Sequence, residues 1–360
     1  MSGGLSALAM DGRVCATHHS CSYGNVDGEP ITLSDANMAA RFRVLVTDRA
    51  WPDASVEQQI LAEVDAEVVE PASTSEADLM AAAADVDAIA TNWAKVTAAV
   101  ISASGKCQIV ARFGIGIDNI AVDAATDLQI PVTNCPDYCV SEVSDHALGL
   151  LLACNRRIAL YHERSKRREY NSTTSMPIQR LTGQTLGLLG LGKIAQTLVP
   201  KAQAFGLKII AHTQSGQDYG TGIPMVTFDE LLSSSDYISV HAPLTPQTRH
   251  LFDEHAFRRM RPSAYLINTS RGGLIDHDAL WAALQQNQLA GAALDVFDPE
   301  PPDLSQPLFQ DERVIVTPHA AFVSEQAIQQ LRVEAMQNIV EVLSGRRPDN
   351  VVNPQIYSDR

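Results

Sequence analysis

Residues 186–195 of the chain read Leu-Gly-Leu-Leu-Gly-Leu-Gly-Lys-Ile-Ala. An apolar run that predicts a strand leads directly into Gly190 and Gly192, and a helical pattern follows as far as Phe205. Glycines at such a turn let the backbone approach a pyrophosphate, which then lies at the helix N-terminus where N–H groups and the helix dipole favour negative charge. Ala195 occupies the third glycine position. Glycines also make ordinary strand-to-helix turns, but the place of this motif between a strand and a helix favours a dinucleotide site.

The same alternation of apolar runs and helical patterns extends on both sides of this motif, which predicts parallel sheets with helical crossovers. Six strands are predicted from the motif onward, the number in a full dinucleotide-binding sheet. They cover residues 186–189, 208–212, 237–241, 264–268, 292–296 and 314–317. An earlier series of strands covers residues 42–47, 66–69, 88–92, 107–112 and 130–133.

Two long helical patterns predict how the two series are connected. Apolar residues at helical spacing over 141–157 predict a helix that leads out of the first series, with a domain boundary near residue 140. A last helix over 324–343 comes too late to complete the second sheet and is expected to return to the first domain. We therefore predict one domain from residues 41–140 plus 319–350, an inserted dinucleotide-binding domain over 141–318, and a disordered extension over 1–40, which lacks periodicity.

The composition excludes several classes of protein. The chain has 360 residues, of which 45% are hydrophobic and 19% charged, so it is neither disordered nor fibrous. Its formal net charge of -15 opposes a phosphate backbone, so we predict no nucleic-acid partner. No apolar run approaches the roughly 20 residues of a membrane span, and the first residues lack a secretory pattern. We predict a cytoplasmic protein with no membrane partner.

The cysteines do not indicate a disulfide framework or a metal centre. The chain has 6 cysteines, scattered along its length, which is typical of reduced thiols. Cys15, His18, His19 and Cys21 have metal-binding side chains, but their spacing fits no closed zinc site. We predict no metal.

Arg271, Glu300 and His319 follow predicted strands of the second series. Taken singly, each is more often a structural residue: a surface ion pair, a solvated acid or a loop histidine. Because open α/β sheets bind ligands at the carboxyl ends of their strands, the three together predict a catalytic site. The planar guanidinium of Arg271 is suited to holding a substrate carboxylate through two hydrogen bonds.

The second strand of the dinucleotide sheet ends in His212-Thr213-Gln214-Ser215. An acidic residue at the end of this strand hydrogen-bonds the adenosine ribose in NAD-binding proteins, whereas a nearby arginine accommodates the phosphate of NADP. The chain has neither here. The predicted cofactor is therefore NAD, with NADP left open.

Residues 111–120, Ala-Arg-Phe-Gly-Ile-Gly-Ile-Asp-Asn-Ile, add a further motif. With the glycine motif and the segments around Arg271, Glu300 and His319, they stand in the order and at the spacing of the D-isomer-specific 2-hydroxyacid dehydrogenase family. The resemblance covers roughly residues 41–355. Within that family, the segments at 136–140 and 318–326 most resemble bacterial relatives of the carboxy-terminal-binding proteins.

This resemblance implies an α/β fold of two Rossmann-like domains, a flavodoxin-like substrate domain with an inserted, doubly wound NAD(P)-binding domain. It also implies an NAD(P)-dependent oxidoreductase that interconverts a 2-oxo acid and a D-2-hydroxy acid, and a homodimer formed around the helix that begins near Ser141. Small 2-oxo or 2-hydroxy acids would be the substrates.

Site residues follow from the same resemblance. His319 and Glu300 would be the acid–base pair, with Arg271 as the carboxylate anchor. The substrate would also meet the backbone of Phe113, Gly114, Ile115 and Gly116. The cofactor contacts would be Gly190, Gly192, Lys193, Ile194, Thr213, His241, Ala242, Pro243, Thr269, Arg271, Asp295 and His319.

General chemistry supports the acid–base pair independently. Reduction of a 2-oxo acid adds a hydride to C2 while the carbonyl oxygen takes a proton, and a carboxylate beside an imidazole favours the charged, proton-donating form.

Two alternatives stay open at this stage. One is a narrower enzyme, a D-3-phosphoglycerate dehydrogenase. The other is an NADH-sensing co-regulator of the carboxy-terminal-binding-protein type, in which catalysis is vestigial. Phe322 stands where those proteins have a tryptophan, so a property that depends on that indole does not carry over.

Overall fold

The structure is a computed structural model, and it describes residues 40–173 and 178–358. The predicted extension over 1–40, apart from Ala40, and the segment with Cys15 and Cys21 lie outside the described residues.

The described residues contain eleven strands and twelve α-helices. The strands are β1 Phe42–Val46, β2 Ala66–Val69, β3 Ala88–Thr91, β4 Ile109–Arg112, β5 Val132–Thr133, β6 Thr185–Leu189, β7 Lys208–His212, β8 Tyr237–Val240, β9 Tyr265–Asn268, β10 Gly291–Leu294 and β11 Val314–Val316. The helices are α1 Ser55–Leu61, α2 Glu76–Ala83, α3 Ala98–Ala103, α4 Val122–Asp127, α5 Val140–Arg156, α6 Ile158–Lys166, α7 Lys193–Ala204, α8 Phe228–Ser234, α9 Glu254–Arg259, α10 His277–Gln285, α11 Pro307–Gln310 and α12 Glu325–Leu343.

The strands form two parallel sheets. The first has the order β2-β1-β3-β4-β5, which is the flavodoxin-like order, and the second has the order β7-β6-β8-β9-β10-β11. In the second sheet Leu188 of β6 is paired with Ala211 of β7 on one side and Ser239 of β8 on the other. Both sheets change direction of strand order beside their first strand, so each has a crevice at the carboxyl ends of its strands there. The predicted α/β class with two parallel sheets is confirmed.

Element ends differ from the predictions by a few residues, for local reasons. Strand β5 begins only after Pro131, which has no N–H to donate to a ladder. Helix α5 ends at Arg156 because Arg157 adopts the left-handed conformation, with φ of 57°.

The long helices pack on different sheets. Helix α5 packs against α7 and against strands β9 and β10 of the second sheet. Helix α12 packs against α1 and β4 of the first sheet, where Leu331 and Met336 join a core with Val44 and Phe113. The assignment of the two sheets, each with its long helix, to separate domains stays a prediction.

The described residues contain neither a helix suited to span a membrane nor a group of side chains suited to hold a metal ion. None of the helices in residues 40–173 and 178–358 is both long and apolar enough to cross a bilayer. In the same part of the chain, no group of three or more His, Cys, Asp or Glu side chains is arranged to hold a metal ion.

Candidate active site

The loops that follow strands β10 and β11 bring Glu300 and His319 together. Nδ1 of His319 lies 2.8 Å from Oε2 of Glu300, and both side chains are partly exposed. The other carboxylate oxygen of Glu300 accepts a hydrogen bond of 2.8 Å from the backbone N–H of Phe297. Since Nδ1 is engaged, Nε2 is the ring nitrogen left for exchange with a ligand.

Glu300 is held in its ionised form. Burial raises the pKa of Glu300, but the hydrogen bond and charge of His319 and the N–H of Phe297 lower it, and the net pKa is below its ordinary value. The charge of Arg271 also lowers the pKa of Glu300, which places that guanidinium within electrostatic reach of the pair.

Arg271 is positioned by two glycines and one carboxylate. A Cβ on Gly272 would lie 1.9 Å from the carbonyl carbon of Phe297, so this glycine lets the Arg271 loop lie against the loop of Glu300. Nε of Arg271 donates a hydrogen bond of 2.9 Å to Oδ1 of Asp118, which follows β4 in the first sheet. Its Nη2 atom occupies the space of a side chain at Gly116, 1.4 Å from where a Cβ would stand. Arg271 therefore bridges the edges of the two sheets.

Arg271 also controls the charge of Asp118. Burial raises the pKa of Asp118, but the charge and hydrogen bond of Arg271 lower it, so the net pKa is below its usual range.

The segment 113–116 offers free backbone donors beside Arg271. Phe113 is buried and its N–H already donates to the Thr91 carbonyl, at 2.8 Å. Within the described residues, the N–H groups of Gly114, Ile115 and Gly116 donate no hydrogen bond. Consecutive free N–H groups form a concave site for an anion, and a carboxylate is an anion of suitable size.

Arg112, the last residue of β4, is a site residue to which the sequence analysis assigned no role. Its side chain is only 9% exposed, and its guanidinium lies 3.0–3.2 Å from where a Cβ on Gly114 would stand. It donates to the carbonyls of Phe113 and Thr91 and to Oδ1 of Asn92, all of them neutral acceptors, and Nε has no partner among the described residues.

Burial, followed by the like charge of Arg271, lowers the pKa of Arg112 to about 10. Two guanidiniums therefore flank the glycine segment 114–116. The signal in the sequence is an arginine that ends an apolar strand immediately before Phe-Gly-Ile-Gly.

Asp295 lies fully buried beside the segment that carries His319. Its carboxylate accepts hydrogen bonds from the N–H groups of Ala320 and Ala321, both at 2.9 Å, and its carbonyl accepts from the N–H of His319 at 2.8 Å. His319 has φ of 51°, in the left-handed region that residues other than glycine rarely adopt. Asp295 thus holds His319 in that conformation from both sides.

The glycine turn after β6 fits a dinucleotide. Gly190 has φ of 91°, and a Cβ there would lie 2.7 Å from the carbonyl oxygen of His241, so only glycine fits. A Cβ on Gly192 would meet nothing within 4 Å, and no side chain caps the first turn of α7. The buried Oγ1 of Thr269 also lacks a partner among the described residues. Open space, free helix N–H groups and an unpaired hydroxyl suit a pyrophosphate and a ribose.

The remaining predicted cofactor residues surround this turn. Nζ of Lys193 donates a hydrogen bond of 2.5 Å to Oδ1 of Asp137, which lies between β5 and α5. Ile194 packs against the core of the first sheet. The carbonyls of Ala242 and Pro243 accept hydrogen bonds from Ser270 and Thr248 at 2.6 and 2.7 Å.

Thr213 begins a hydroxyl-rich loop after β7, in which the first charged residue is Asp218. Its Oγ1 donates to the Gln217 carbonyl at 3.2 Å and lies 3.4 Å from Oγ of Ser215, which in turn contacts the Tyr219 hydroxyl at 3.2 Å.

An aromatic wall continues from His319 into the first sheet. Phe322 lies edge-on to His319 and to Tyr138, with ring centroids 6.1 and 6.2 Å apart. Trp51 lies edge-on to Phe113 at 5.1 Å. The four aromatic rings of Phe322, Tyr138, Trp51 and Phe113 are buried, so His319 has an apolar surface on one side.

The sequence of the chain is similar to those of known dehydrogenases and reductases. Residues 148–321 match the family model described as D-isomer specific 2-hydroxyacid dehydrogenase, NAD binding domain. The chain is 34% identical over 307 residues to the hydroxypyruvate reductase of Thermotoga maritima, covering 84% of this chain and 99% of that protein. It is 37% identical over 324 residues to the D-3-phosphoglycerate dehydrogenase of Methanocaldococcus jannaschii, covering 88% of this chain but 61% of that longer protein.

A solved structure shows the same architecture. The NADPH-dependent glyoxylate/hydroxypyruvate reductase of Sinorhizobium meliloti, in complex with NADP and malonate, superposes with a TM-score of 0.78 at 30% identity, covering 87% of this chain and 97% of that one.

Proposed function

The chain belongs to the D-isomer specific 2-hydroxyacid dehydrogenase family, and from this membership we propose that it interconverts a small 2-oxo acid and a D-2-hydroxy acid with NAD or NADP as cofactor. The observation that carries the proposal for this chain is the 2.8 Å contact between His319 and Glu300, within electrostatic reach of Arg271. An acid–base pair beside a guanidinium is what reduction of a 2-oxo acid requires.

His319 is the proposed proton donor in the reducing direction. Its Nε2 gives a proton to the substrate oxygen, while the ionised Glu300 stabilises the charged imidazole through Nδ1. In the oxidising direction, the neutral ring takes the hydroxyl proton back at Nε2. A nicotinamide cofactor, when bound, would supply or accept the hydride.

The substrate carboxylate is proposed to lie on the segment 114–116. The free N–H groups of this segment and the guanidiniums of Arg271 and Arg112 lie around it. The negative charge of the substrate carboxylate would therefore lie close to two positive charges. Electrostatic stabilisation by groups that are already oriented is often the largest contribution to catalysis.

The cofactor is proposed to lie along Gly190, Gly192 and the first turn of α7, with Thr213 beside the adenosine ribose. Residues 213–217 have no charged side chain that would repel or pair with a ribose phosphate, and the carboxylate of Asp218 beyond them accepts hydrogen bonds from the N–H groups of Gly220 and Gly222. We therefore expect NADH and NADPH to bind with similar affinity. We expect Thr213→Asp to weaken NADPH at least about tenfold relative to NADH, as measured by quenching of protein fluorescence.

The decisive experiment mixes the purified protein with NADH or NADPH and a panel of glyoxylate, pyruvate, hydroxypyruvate and phosphohydroxypyruvate, and follows nicotinamide absorbance. Turnover is expected on at least one acid. His319→Asn is expected to lower kcat roughly 10²–10⁴-fold, because it removes the proton donor. Arg271→Ala is expected to raise KM for the acid.

Full activity in both variants would contradict this mechanism. The panel also separates the alternatives. Activity confined to phosphohydroxypyruvate would indicate a phosphoglycerate dehydrogenase. Tight cofactor binding without turnover on any acid would indicate an NADH-sensing protein instead.

We also propose a cytoplasmic homodimer. Ile158 begins α6, the helix that packs against α5, and both Ile158 and Tyr170 beyond α6 are large exposed apolar residues, a residue type that is common in interfaces. Light scattering after size exclusion is expected to give twice the chain mass, and Ile158→Asp is expected to shift it toward the monomer.

A further inference from the structure

His146 lies on α5, the helix that leads from the first sheet to the second, and no role follows for it from the proposed chemistry. Its side chain is partly buried, and Nε2 lies 3.1 Å from Oγ1 of Thr317 and 3.5 Å from Oδ1 of Asp295. Thr317 directly precedes the Pro318-His319 segment.

Each hydrogen bond among His146, Thr317 and Asp295 has one possible donor. Asp295 is fully buried and its carboxylate only accepts, so the Thr317 hydroxyl donates its proton to Oδ1 at 2.6 Å. That hydroxyl has no second proton to give, so at the 3.1 Å contact it accepts from His146. The geometry therefore assigns a proton to Nε2 of His146.

The same carboxylate holds the segment after the catalytic histidine. Oδ1 and Oδ2 of Asp295 accept from the N–H groups of Ala320 and Ala321, next to His319 in its left-handed conformation. Orientation of Oδ1 by Thr317 thus determines where these N–H groups lie. A conformation that the residue itself disfavours persists only when its surroundings determine it.

We propose that His146 is a positioning residue that acts through Thr317 and Asp295 to hold the segment carrying His319. The inference rests on the proposed function, in which His319 transfers a proton. It gives α5 a second task besides linking the two sheets, since a shift of this helix changes the support of the catalytic imidazole.

The test compares His146→Leu, which removes the donor, with His146→Gln, whose amide can replace it. His162→Leu is the matched control, because His162 is exposed on α6. We expect His146→Leu to lower kcat roughly tenfold with melting temperature and NADH affinity near those of the wild type. His146→Gln is expected to recover most of this loss, and His162→Leu to change nothing.

A double-mutant cycle with Thr317→Val tests the route of the effect. If His146 acts through the Thr317 hydroxyl, adding His146→Leu to Thr317→Val changes kcat less than about twofold. Independent, multiplying effects overturn the proposal, as does a His146→Leu enzyme with wild-type kcat.

Ring ¹⁵N spectra of the protein without substrate give a readout that does not need activity. They are expected to show the Nε2–H form of His146, and a shift of the His319 ring signals in His146→Leu but not in His162→Leu. An unchanged His319 signal contradicts the inference. A wild-type protein that reduces no 2-oxo acid contradicts the proposed function instead, and the spectra still decide whether the contact exists.

Discussion

Gly116 has no side chain where Arg271 needs room, and this makes it a sharp test of the anion site. A methyl group there would stand 1.4 Å from Nη2 of Arg271 and 2.9 Å from Oδ1 of Asp118. The guanidinium is the mobile end of a flexible side chain, so we expect Gly116→Ala to displace it and leave the fold intact. A displacement of this size in a positioning group lowers kcat/KM on the order of 10²-fold.

The control is Gly149→Ala in the interior of α5, where a Cβ meets nothing within 4 Å. We expect this variant to keep full activity and to gain about 0.5–1 kcal/mol of stability, because alanine favours a helix over glycine. Thermal melts and initial rates on both variants check the pair. Equal activities of the two alanine variants would remove the argument that Arg271 must occupy this space.

His241 makes stability depend on pH. Burial lowers the pKa of His241 to about 4. Between about pH 6.5 and 4 the unfolded chain therefore binds a proton at this residue that the folded chain does not, so stability falls as the pH falls through this window. Below about pH 4 both states are protonated and this loss stops growing.

A pKa shift from 6.5 to about 4 corresponds to at most roughly 3.4 kcal/mol of stability. Urea unfolding at pH 7 and pH 5 is expected to show a smaller loss of stability in His241→Gln than in the wild type. Equal losses would mean that the imidazole titrates normally in the folded protein.

The turn from β6 to α7 uses its two glycines for different purposes. At Gly190 the backbone itself forbids a side chain, since φ is 91° and the His241 carbonyl is adjacent. We expect Gly190→Ala to cost about 2–4 kcal/mol of stability and to abolish cofactor binding.

At Gly192 the surrounding space is open, so we expect Gly192→Ala to fold with nearly wild-type stability and to lose affinity for NADH, because the methyl group stands where the pyrophosphate is proposed to lie. Chemical unfolding and a fluorescence titration with NADH separate the two effects. A Gly192→Ala protein that binds NADH as the wild type does would move the proposed cofactor site away from this turn.

Strand positions could be predicted from sequence because each strand is a short apolar run that alternates with a helical pattern. Glu300 and His319 were predicted from their positions, because each follows a strand of the parallel sheet, the buried β10 and the partly buried β11. Arg112 was given no role, because its burial depends on Gly114 and on carbonyls that fold over it, and local sequence does not show this.

Contacts between distant segments were also beyond prediction. The Arg271–Asp118 pair joins residues 153 positions apart, and only the mutual placement of the two sheets makes it. The same is true of His146 and Thr317, which are 171 positions apart.

A contact of this kind also joins α1 and α12, the first and last α-helices of the described residues. Glu57 on α1 is fully buried and accepts two hydrogen bonds from Arg332 on α12, at 2.9 and 2.7 Å. Arg332 also lies over the ring of Trp51, with its guanidinium carbon 5.2 Å from the centroid. Because Trp51 contacts Phe113, this pair supports the core below the anion site.

Removal of Glu57 leaves the guanidinium of Arg332 buried, with the Asp53 carbonyl at 2.8 Å and the more distant Asp53 carboxylate at 3.7 Å as its remaining partners. We therefore expect Glu57→Leu to cost about 3–5 kcal/mol of stability. Glu57→Leu combined with Arg332→Met buries no charge and keeps an apolar chain over Trp51, so it is expected to recover most of that loss. Glu341→Gln, which breaks an exposed pair with Arg346, serves as the control and is expected to leave the unfolding midpoint unchanged. If the double variant were as unstable as Glu57→Leu alone, the loss would come from packing and not from the isolated charge.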